Sequence, residues 1–289
     1  MTEKINYHQR FLFTTLLQLL FIVVEIYYGL RANSIALISD AIHNASDVLG
    51  LLIAWGGFVL AEVKTSNRFT FGLKNTTIIA AFINAIFIFV AVGGIGWEAI
   101  QRLAQPESIQ PYTVMIVAAA GVLVNGLSAI LFLSGKKDLN IWGAFIHLAG
   151  DAAVSFGVII ASVAVLFTGW YRLDAGSSLL ICLLILFGSW GLFKESIKLM
   201  LHAVPSGINL NEVKEFLLAQ EGVLSLHDLH VWAISTSETA LSVHLVTSQT
   251  NANNMILPCL ATALDQCFHI NHATIQVEQQ GSEYCETNC

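Results

Sequence analysis

The chain has 289 residues, of which 55% are hydrophobic and 11% are charged, and its formal net charge is −7. Because soluble globular domains carry about 25% charged residues, this composition excludes an ordinary soluble protein and indicates an integral membrane protein. The five cysteines are too few and too scattered for the disulfide framework of a small secreted protein.

Six apolar segments follow one another along the first two thirds of the chain. They lie at about 11–30, 34–62, 76–103, 112–134, 141–169 and 173–201, and each reaches the roughly 20 residues that cross a bilayer. Lys4 and Arg10 precede the first segment, but no small-residue cleavage site follows, so we expect no removable signal peptide. The sequence therefore predicts an α-helical membrane domain with six transmembrane helices.

Positive charges are distributed unequally between the two sides of these segments. Nine lie on the side of the termini: Lys4, Arg10, Lys64, Arg68, Lys74, Lys136, Lys137, Lys194 and Lys198. Three lie on the opposite side: Arg31, Arg102 and Arg172. Because positively charged loops favour the cytoplasm, we expect both termini to be cytoplasmic.

Two matched pairs of ionisable residues lie inside apolar segments. His43 and Asp47 are in the second segment and His147 and Asp151 are in the fifth, each pair spaced His-x-x-x-Asp. Residues four apart share one helix face, and ionisable groups inside a membrane usually mark a substrate or proton path. At about 1.5 Å per residue, His43 and Asp151 lie about 14 and 16 Å into their segments, near mid-membrane.

Two imidazoles and two carboxylates offer the four nitrogen and oxygen ligands of a tetrahedral zinc site. Imidazole also suits cobalt, nickel and copper, whereas carboxylates alone would favour manganese, magnesium or calcium. The alternative is that one of the pairs forms a helix-packing hydrogen bond, but two matched pairs at matched depth favour a metal site. Asp40, one turn before His43, either orients a ligand or passes ions on, or serves the N-terminal end of its helix.

The chain changes character at Pro205-Ser206-Gly207. We predict a transmembrane domain at 1–206 and a separate cytoplasmic domain at 207–289. The second region contains nine acidic residues and one basic residue, Lys214. Such a field attracts cations, and it excludes nucleic-acid binding, which requires a basic face.

The polar and apolar pattern of this region predicts a small α+β domain with the order α-β-β-α-β. The predicted elements are a helix at 209–219, strands at 223–234 and 239–247, a helix at 252–267 and a strand at 273–279. Within the first strand, Asp228 and His230 are two residues apart and are expected on one face, with His227 on the other.

Taken together, these features resemble the cation diffusion facilitator family. The resemblance rests on the six spans, the two His-x-x-x-Asp pairs, the segment Arg68-Phe69-Thr70-Phe71-Gly72 and the segment His227-Asp228-Leu229-His230-Val231-Trp232. It covers nearly the whole chain and is closest to the branch of bacterial zinc, cadmium and cobalt exporters and vertebrate zinc transporters.

The resemblance implies a transporter and not an enzyme. It implies a homodimer in the lipid bilayer, with a metallochaperone-like (ferredoxin-like) cytoplasmic domain, that exports divalent metal from the cytoplasm in exchange for protons. It also implies that His43, Asp47, His147 and Asp151 form the transport site. Because family members with histidine at the position of His43 tend to carry zinc or cadmium, it points to Zn²⁺ as the substrate.

The resemblance further implies that 207–289 is a metal-binding and dimerisation domain that holds regulatory zinc. His227, His244 and Glu278 match family positions that bind this zinc, although Gln276 replaces a histidine that some members use. Cys285 and Cys289 are similar to the paired terminal cysteines of vertebrate members, but three residues separate them rather than two. The alternatives are ordinary surface histidines and a flexible terminal segment.

Lys74 occupies the position of a lysine that in some members pairs with a carboxylate at the end of span 6 and locks the dimer. Here that end reads Met200-Leu201-His202-Ala203-Val204-Pro205 and contains no carboxylate, so the expected partner of Lys74 is missing.

Two alternative functions remain open at this point. One is a membrane-embedded metal sensor or scaffold, and the other is a carrier for a different divalent metal, such as cadmium, cobalt, manganese or iron. The short loop at 135–140 lacks a histidine-rich insert, and together with the compact length it favours a bacterial inner membrane.

Overall fold

The computed structural model describes residues 7–133, 139–248 and 253–279. The elements in chain order are α1 (Tyr7–Ala32), α2 (Ile35–Ala61), α3 (Thr76–Ala104), α4 (Pro111–Phe132), α5 (Leu139–Thr168), α6 (Arg172–Met200), α7 (Leu210–Leu218), β1 (Val223–Ala233), β2 (Thr239–Thr247), α8 (Asn253–Phe268) and β3 (His272–Gln279). Cys285 and Cys289 lie outside the described residues.

Six helices in the described part of the chain are long and apolar enough to cross a membrane, which confirms the predicted spans. These helices are α1 to α6, and their bounds agree with the predicted segments to within a few residues. Helices α1 and α5 end where the backbone takes positive φ angles, at Asn33 (φ 55°) and Gly169 (φ 68°). Asparagine and glycine are the residues that adopt this left-handed conformation most readily.

The chain forms two compact units. One consists of residues up to 52 together with 84–190, and the other consists of residues 53–83 with the chain from 191 onward. Helices α2, α3 and α6 therefore each contribute to both units, since their residue ranges cross these limits.

The core of the first unit is built from apolar side chains of its helices, among them Leu37, Val114 and Val158, all of which are buried. Gly121 of α4 marks a close approach of helices. A Cβ atom at this position would lie 2.9 Å from the Ser155 hydroxyl of α5 and 3.0 Å from the Phe21 ring of α1. Only glycine therefore lets α4 pack this tightly against both neighbours.

The N-terminus of α2 is capped by a side chain from another helix. The buried Asp174 carboxylate of α6 accepts hydrogen bonds from the Ser34 hydroxyl at 2.5 Å and from the Ile35 amide at 2.8 Å. The first amides of a helix have no hydrogen-bond partner within the helix, and the Asp174 carboxylate supplies one for the Ile35 amide. A negative charge at the positive end of the helix dipole is also stabilising. It fixes the start of the helix that carries His43 and Asp47.

The second unit contains a three-stranded sheet in the order β1-β2-β3, with β1 and β2 antiparallel and β2 and β3 parallel. Leu241 and Leu245 of β2 are buried with Val213 of α7 and Leu264 of α8, so the two helices cover the apolar side of the sheet. The predicted α-β-β-α-β order is confirmed.

The prediction that His227 and His230 lie on opposite faces of the sheet is wrong, because a β-bulge interrupts β1. His227 pairs with His244 and His230 pairs with Ser242, so three steps along β1 match two steps along β2. Asp228, within the bulge, has a φ of 51°. Since cross-strand partners share a face of the sheet, His230 lies on the same face as His227 and not on the opposite one.

Lys74 has a partner other than the one sought at the end of the sixth span. Its Nζ atom lies 2.5 Å from Glu238 Oε2, in the turn that joins β1 to β2. Beside it, the Thr236 amide donates a hydrogen bond to the Thr77 hydroxyl at 3.1 Å. The connection between α2 and α3 is thus tied to the sheet within the second unit.

Candidate metal sites

Helices α2 and α5 bring all four predicted transport-site residues together. His43 Nε2 lies 3.3 Å from Asp151 Oδ1, and His147 Nε2 lies 3.2 Å from Asp47 Oδ2, so each histidine meets the carboxylate of the other helix. The contacts within each helix are longer, at 3.8 Å for His43 with Asp47 and 3.7 Å for His147 with Asp151. The i, i+4 spacing makes this possible because it places both ligands of a helix on one face.

These distances suit a small divalent cation. Zinc bonds to nitrogen and oxygen are about 2 Å long, so tetrahedral ligand atoms lie about 3.3 Å from one another. Ligand atoms of Asp47, His147 and Asp151 all lie within 4.8 Å of one another. His43 lies outside that compact set, but it contacts the carboxylates of both aspartates.

The negative charge of the site also favours binding of a cation. The Asp151 side chain is only 5% exposed, and the buried Asp47 Oδ2 accepts no hydrogen bond from the residues that the structure describes. A buried carboxylate without a full set of donors is costly, and a metal ion supplies both the missing ligand and the missing charge.

Two cavities meet at this site. One is lined by Gln18, Asn44, Asp47, His147 and Asp151 and extends to Phe132 and Ala144, next to the connection between α4 and α5. The other is lined by His43, His147 and Asp151 and extends along α5 and α6 to Val158 and Ser177, toward the opposite ends of these helices. His147 and Asp151 line both cavities, so both cavities border the site.

Asp40, which the sequence left between two roles, is not one of the grouped ligands. It is fully buried, and its Oδ2 atom accepts a hydrogen bond from the Ser155 hydroxyl of α5 at 2.8 Å. Next to it, the Asn44 amide donates to the equally buried Glu25 of α1 at 3.1 Å. Glu25 is a further buried acid to which the sequence alone assigned no role.

A second cluster of potential ligands lies on the sheet, with one residue from each strand. Glu278 Oε2 lies 3.2 Å from His227 Nε2, and Glu278 Oε1 lies 2.8 Å from His244 Nδ1. The two imidazole rings are 4.9 Å apart, and the Glu278 side chain is 5% exposed. Their ligand atoms lie within 4.8 Å of one another, as a shared metal requires.

Gln276 adds to this cluster although it cannot act as an imidazole ligand. Its side-chain amide donates a hydrogen bond to Glu278 Oε1 at 2.9 Å. His227 Nδ1 is buried and has no hydrogen-bond partner among the described residues. The structure thus brings His227, His244 and Glu278 together, whereas Cys285 and Cys289 lie beyond the described part of the chain.

Family models match both regions of the chain. The cation efflux transmembrane domain matches residues 12–201, and the cytoplasmic domain of cation efflux proteins matches residues 205–280. Together they cover nearly the whole chain.

Three characterised bacterial proteins are similar over most of their length. The metal cation efflux system protein CzcD of Cupriavidus metallidurans is 36% identical over 89% of this chain and 82% of its own. The zinc transporter ZitB of Escherichia coli is 34% identical over 90% and 84%. The cadmium, cobalt and zinc/H⁺–K⁺ antiporter of Bacillus subtilis is 32% identical over 91% and 86%.

Proposed function

Since the chain belongs to the cation efflux, or cation diffusion facilitator, family, we propose that it exports divalent metal, zinc first, from the cytoplasm in exchange for protons. The observation that carries this proposal is the convergence of His43, Asp47, His147 and Asp151 from two membrane helices on one point. Two neutral imidazoles and two carboxylates neutralise a doubly charged ion, which lowers the cost of holding it in the membrane.

Zinc is favoured over manganese by the ligand types. Imidazole nitrogen prefers zinc, cobalt, nickel and copper, whereas manganese prefers oxygen ligands. Two of the three relatives are named for zinc, one of them together with cadmium and cobalt, and the third is named for metal cations in general. Cadmium and cobalt are therefore the second candidates as substrates.

Proton exchange follows from the chemistry of the same ligands. A metal binds only to neutral imidazole and ionised carboxylate, so binding displaces any protons that these groups hold. Histidine suits this exchange because its ordinary pKa of about 6.5 lies close to the pH range of the cell. In this proposal the helices rearrange so that the site opens first to one of its two cavities and then to the other, and protons replace the metal on the far side.

We further propose the arrangement of the chain in its membrane. Residues 1–206 form the transmembrane domain and 207–289 the cytoplasmic domain, with both termini in the cytoplasm of a bacterium and the protein in its inner membrane. Nine positive residues on the side of the termini against three on the other support this orientation. The match of residues 205–280 to the cytoplasmic dimer domain supports a homodimer.

The cluster of His227, His244 and Glu278 is proposed as a regulatory zinc site. Two imidazoles and one carboxylate are the donor set of many zinc sites, and the buried His227 Nδ1 has no hydrogen-bond partner among the described residues. Zinc bound there would reduce the net negative charge of the domain and so weaken the repulsion between the cytoplasmic domains of two protomers. Cys285 and Cys289 are proposed as additional ligands.

Flux into reconstituted vesicles tests the transport proposal. Vesicles with an acidic lumen receive Zn²⁺ or Mn²⁺ outside, and metal influx is followed for the wild type and for His43→Ala. The proposal expects zinc influx driven by the pH gradient, slower manganese influx, and loss of zinc influx in the variant. A protein that binds zinc tightly but gives no influx under any gradient would instead be a metal sensor or scaffold, the leading alternative from another class.

A further inference from the structure

We propose that Glu25 and Asp40 form a proton-binding carboxyl pair, separate from the metal ligands, that releases its proton when a divalent cation occupies the transport site. This inference rests on the proposed function, because it adds a proton-carrying group to the same exchange of metal for protons. It gives a role to two buried acids that the ligand set leaves unused.

The pair lies in the interior of the helix bundle. Glu25 of α1 and Asp40 of α2 both have 0% exposure, and Asn44, which lies one turn beyond Asp40 on α2, donates its side-chain amide to Glu25. Among the residues that the structure describes, no lysine or arginine forms an ion pair with either of them. Neighbouring carboxylates repel each other, and burial disfavours the charged form of each, so ionisation of both together is disfavoured.

The hydrogen bonds around the pair leave room for one proton. The Asn44 amide donates to Glu25 Oε2 at 3.1 Å, and the Ser155 hydroxyl donates to Asp40 Oδ2 at 2.8 Å. The remaining oxygens, Glu25 Oε1 and Asp40 Oδ1, are buried and accept no hydrogen bond from the described residues. A proton held by the pair supplies a donor where these oxygens have none. Paired acids of this kind titrate as a unit.

The pair is placed to sense the charge of the transport site. Two titratable groups of that site lie one helical turn from the contacts of the pair: Asp151 precedes Ser155, whose hydroxyl donates to Asp40, by four residues on α5, and His43 follows Asp40 by three residues on α2. A divalent cation held by those residues adds positive charge beside the pair, and a nearby positive charge favours the carboxylate over the carboxylic acid. The O–H bond then breaks, its electron pair stays on the carboxylate, and the proton leaves to water in the cavities. Departure of the cation restores the proton.

The number of protons released per zinc bound tests this pair. Zinc is added to the purified full chain in weakly buffered detergent solution with a pH indicator, and bound zinc is measured in the same sample. Glu25→Gln and Asp40→Asn keep the size and hydrogen-bonding capacity of each side chain but cannot ionise. Each variant should release about one proton fewer per zinc than the wild type, and the double variant should lose no more, because the pair shares one proton.

Glu98→Gln is the matched control, since it removes a carboxylate at the far end of α3 that pairs with Arg102. Its proton release should equal that of the wild type. The cluster on the sheet contributes equally in all variants. An unchanged proton count in Glu25→Gln and Asp40→Asn, with zinc binding intact, would refute the proposal that the pair releases a proton.

A measurement on the unmodified chain covers the case in which both variants fail to fold. Infrared difference spectra recorded on zinc binding at neutral pH should show loss of a protonated-carboxyl band, and an unchanged band overturns the pair. The experiments distinguish a failure of the proposal for the carboxyl pair from a failure of the proposed transport function. Zinc influx driven by the pH gradient with an unchanged proton count refutes only the pair, whereas absence of such influx in the wild type refutes the transport proposal.

Discussion

His43 Nε2 lies 3.3 Å from Asp151 Oδ1, although the two residues belong to different membrane helices. The reciprocal contact joins His147 to Asp47 at 3.2 Å. The four ligands are therefore interleaved between α2 and α5, and neither helix holds a complete site. A movement of one helix against the other would change all cross-helix distances at once, which is what a site that must bind and then release its cargo requires.

Replacing Asp151 by asparagine should reduce zinc influx into vesicles to the level of protein-free vesicles. The amide keeps the shape of the side chain but removes a negative charge, so the bound ion would be neither fully ligated nor neutralised. Asp47→Asn should behave in the same way. Glu62→Gln removes an exposed carboxylate just beyond α2 and should transport normally. Full transport by either aspartate variant would refute the site assignment.

Replacing His43 by aspartate should shift the preference of the site toward manganese. The substitution exchanges an imidazole nitrogen for a carboxylate oxygen, and oxygen ligands favour manganese over zinc. The ratio of Zn²⁺ to Mn²⁺ influx, measured in vesicles of the same preparation, should fall relative to the wild type. An unchanged ratio would mean that His43 does not ligate the transported ion.

Zinc affinity should fall as the pH falls. Protonated imidazole cannot ligate, so the affinity is complete above the histidine pKa and is lost as the pH drops through it. Between neutral and mildly acidic pH we expect about a tenfold loss of zinc affinity per pH unit for each proton displaced. Calorimetric titrations across this range measure the slope, and an affinity independent of pH would exclude proton exchange at the ligands.

Exchanging the charges of Lys74 and Glu238 should restore the ion pair that either single reversal breaks. Lys74→Glu and Glu238→Lys each place like charges 2.5 Å apart in the wild-type geometry, whereas the double variant restores opposite charges. Because both side chains are about one-third exposed, each single change should lower the free energy of unfolding by no more than about 1 kcal/mol.

Thermal unfolding of the two single variants and the double variant gives the coupling between the residues. Lys64→Glu reverses an exposed charge in the same connection and should show no coupling to Glu238→Lys. Equal destabilisation by the singles, summed in the double variant, would mean that the pair contributes nothing.

Removing the cluster on the sheet should alter the regulation of transport but not its maximum. His244→Ala deletes one imidazole of the cluster, so half-maximal influx should require more zinc, while influx at saturating zinc stays near the wild-type value. His230→Ala, an exposed histidine on β1 outside the cluster, should leave the zinc dependence unchanged. Loss of maximal influx in His244→Ala, with the fold intact, would contradict a regulatory role.

The elements of this fold follow closely from the sequence because each depends on a local pattern. Long apolar runs specify α1 to α6, and alternation specifies β1 to β3. The same reasoning found the transport residues, since His-x-x-x-Asp places two ligands on one helix face; their metal binding stays a prediction. It misassigned the face of His230 because the bulge at Asp228 removes the two-residue period.

Relations between distant residues could not be predicted in this way. Lys74 and Glu238 are 164 positions apart, and nothing in either local segment indicates the other. Glu25 and Asp40 are both acids within apolar runs, but their proximity depends on which faces of α1 and α2 meet. Patterns within one element identify a face, whereas side-chain packing between elements decides what that face contacts.

The most direct test of the central claim is simultaneous measurement of zinc and protons in one vesicle preparation. Vesicles carrying the protein enclose a pH-sensitive dye at acidic pH, and Zn²⁺ is added outside. The account predicts zinc entry together with alkalinisation of the lumen, both lost in Asp151→Asn and both abolished when an ionophore collapses the pH gradient beforehand. Zinc entry without proton movement, or zinc entry that persists in Asp151→Asn, would contradict it.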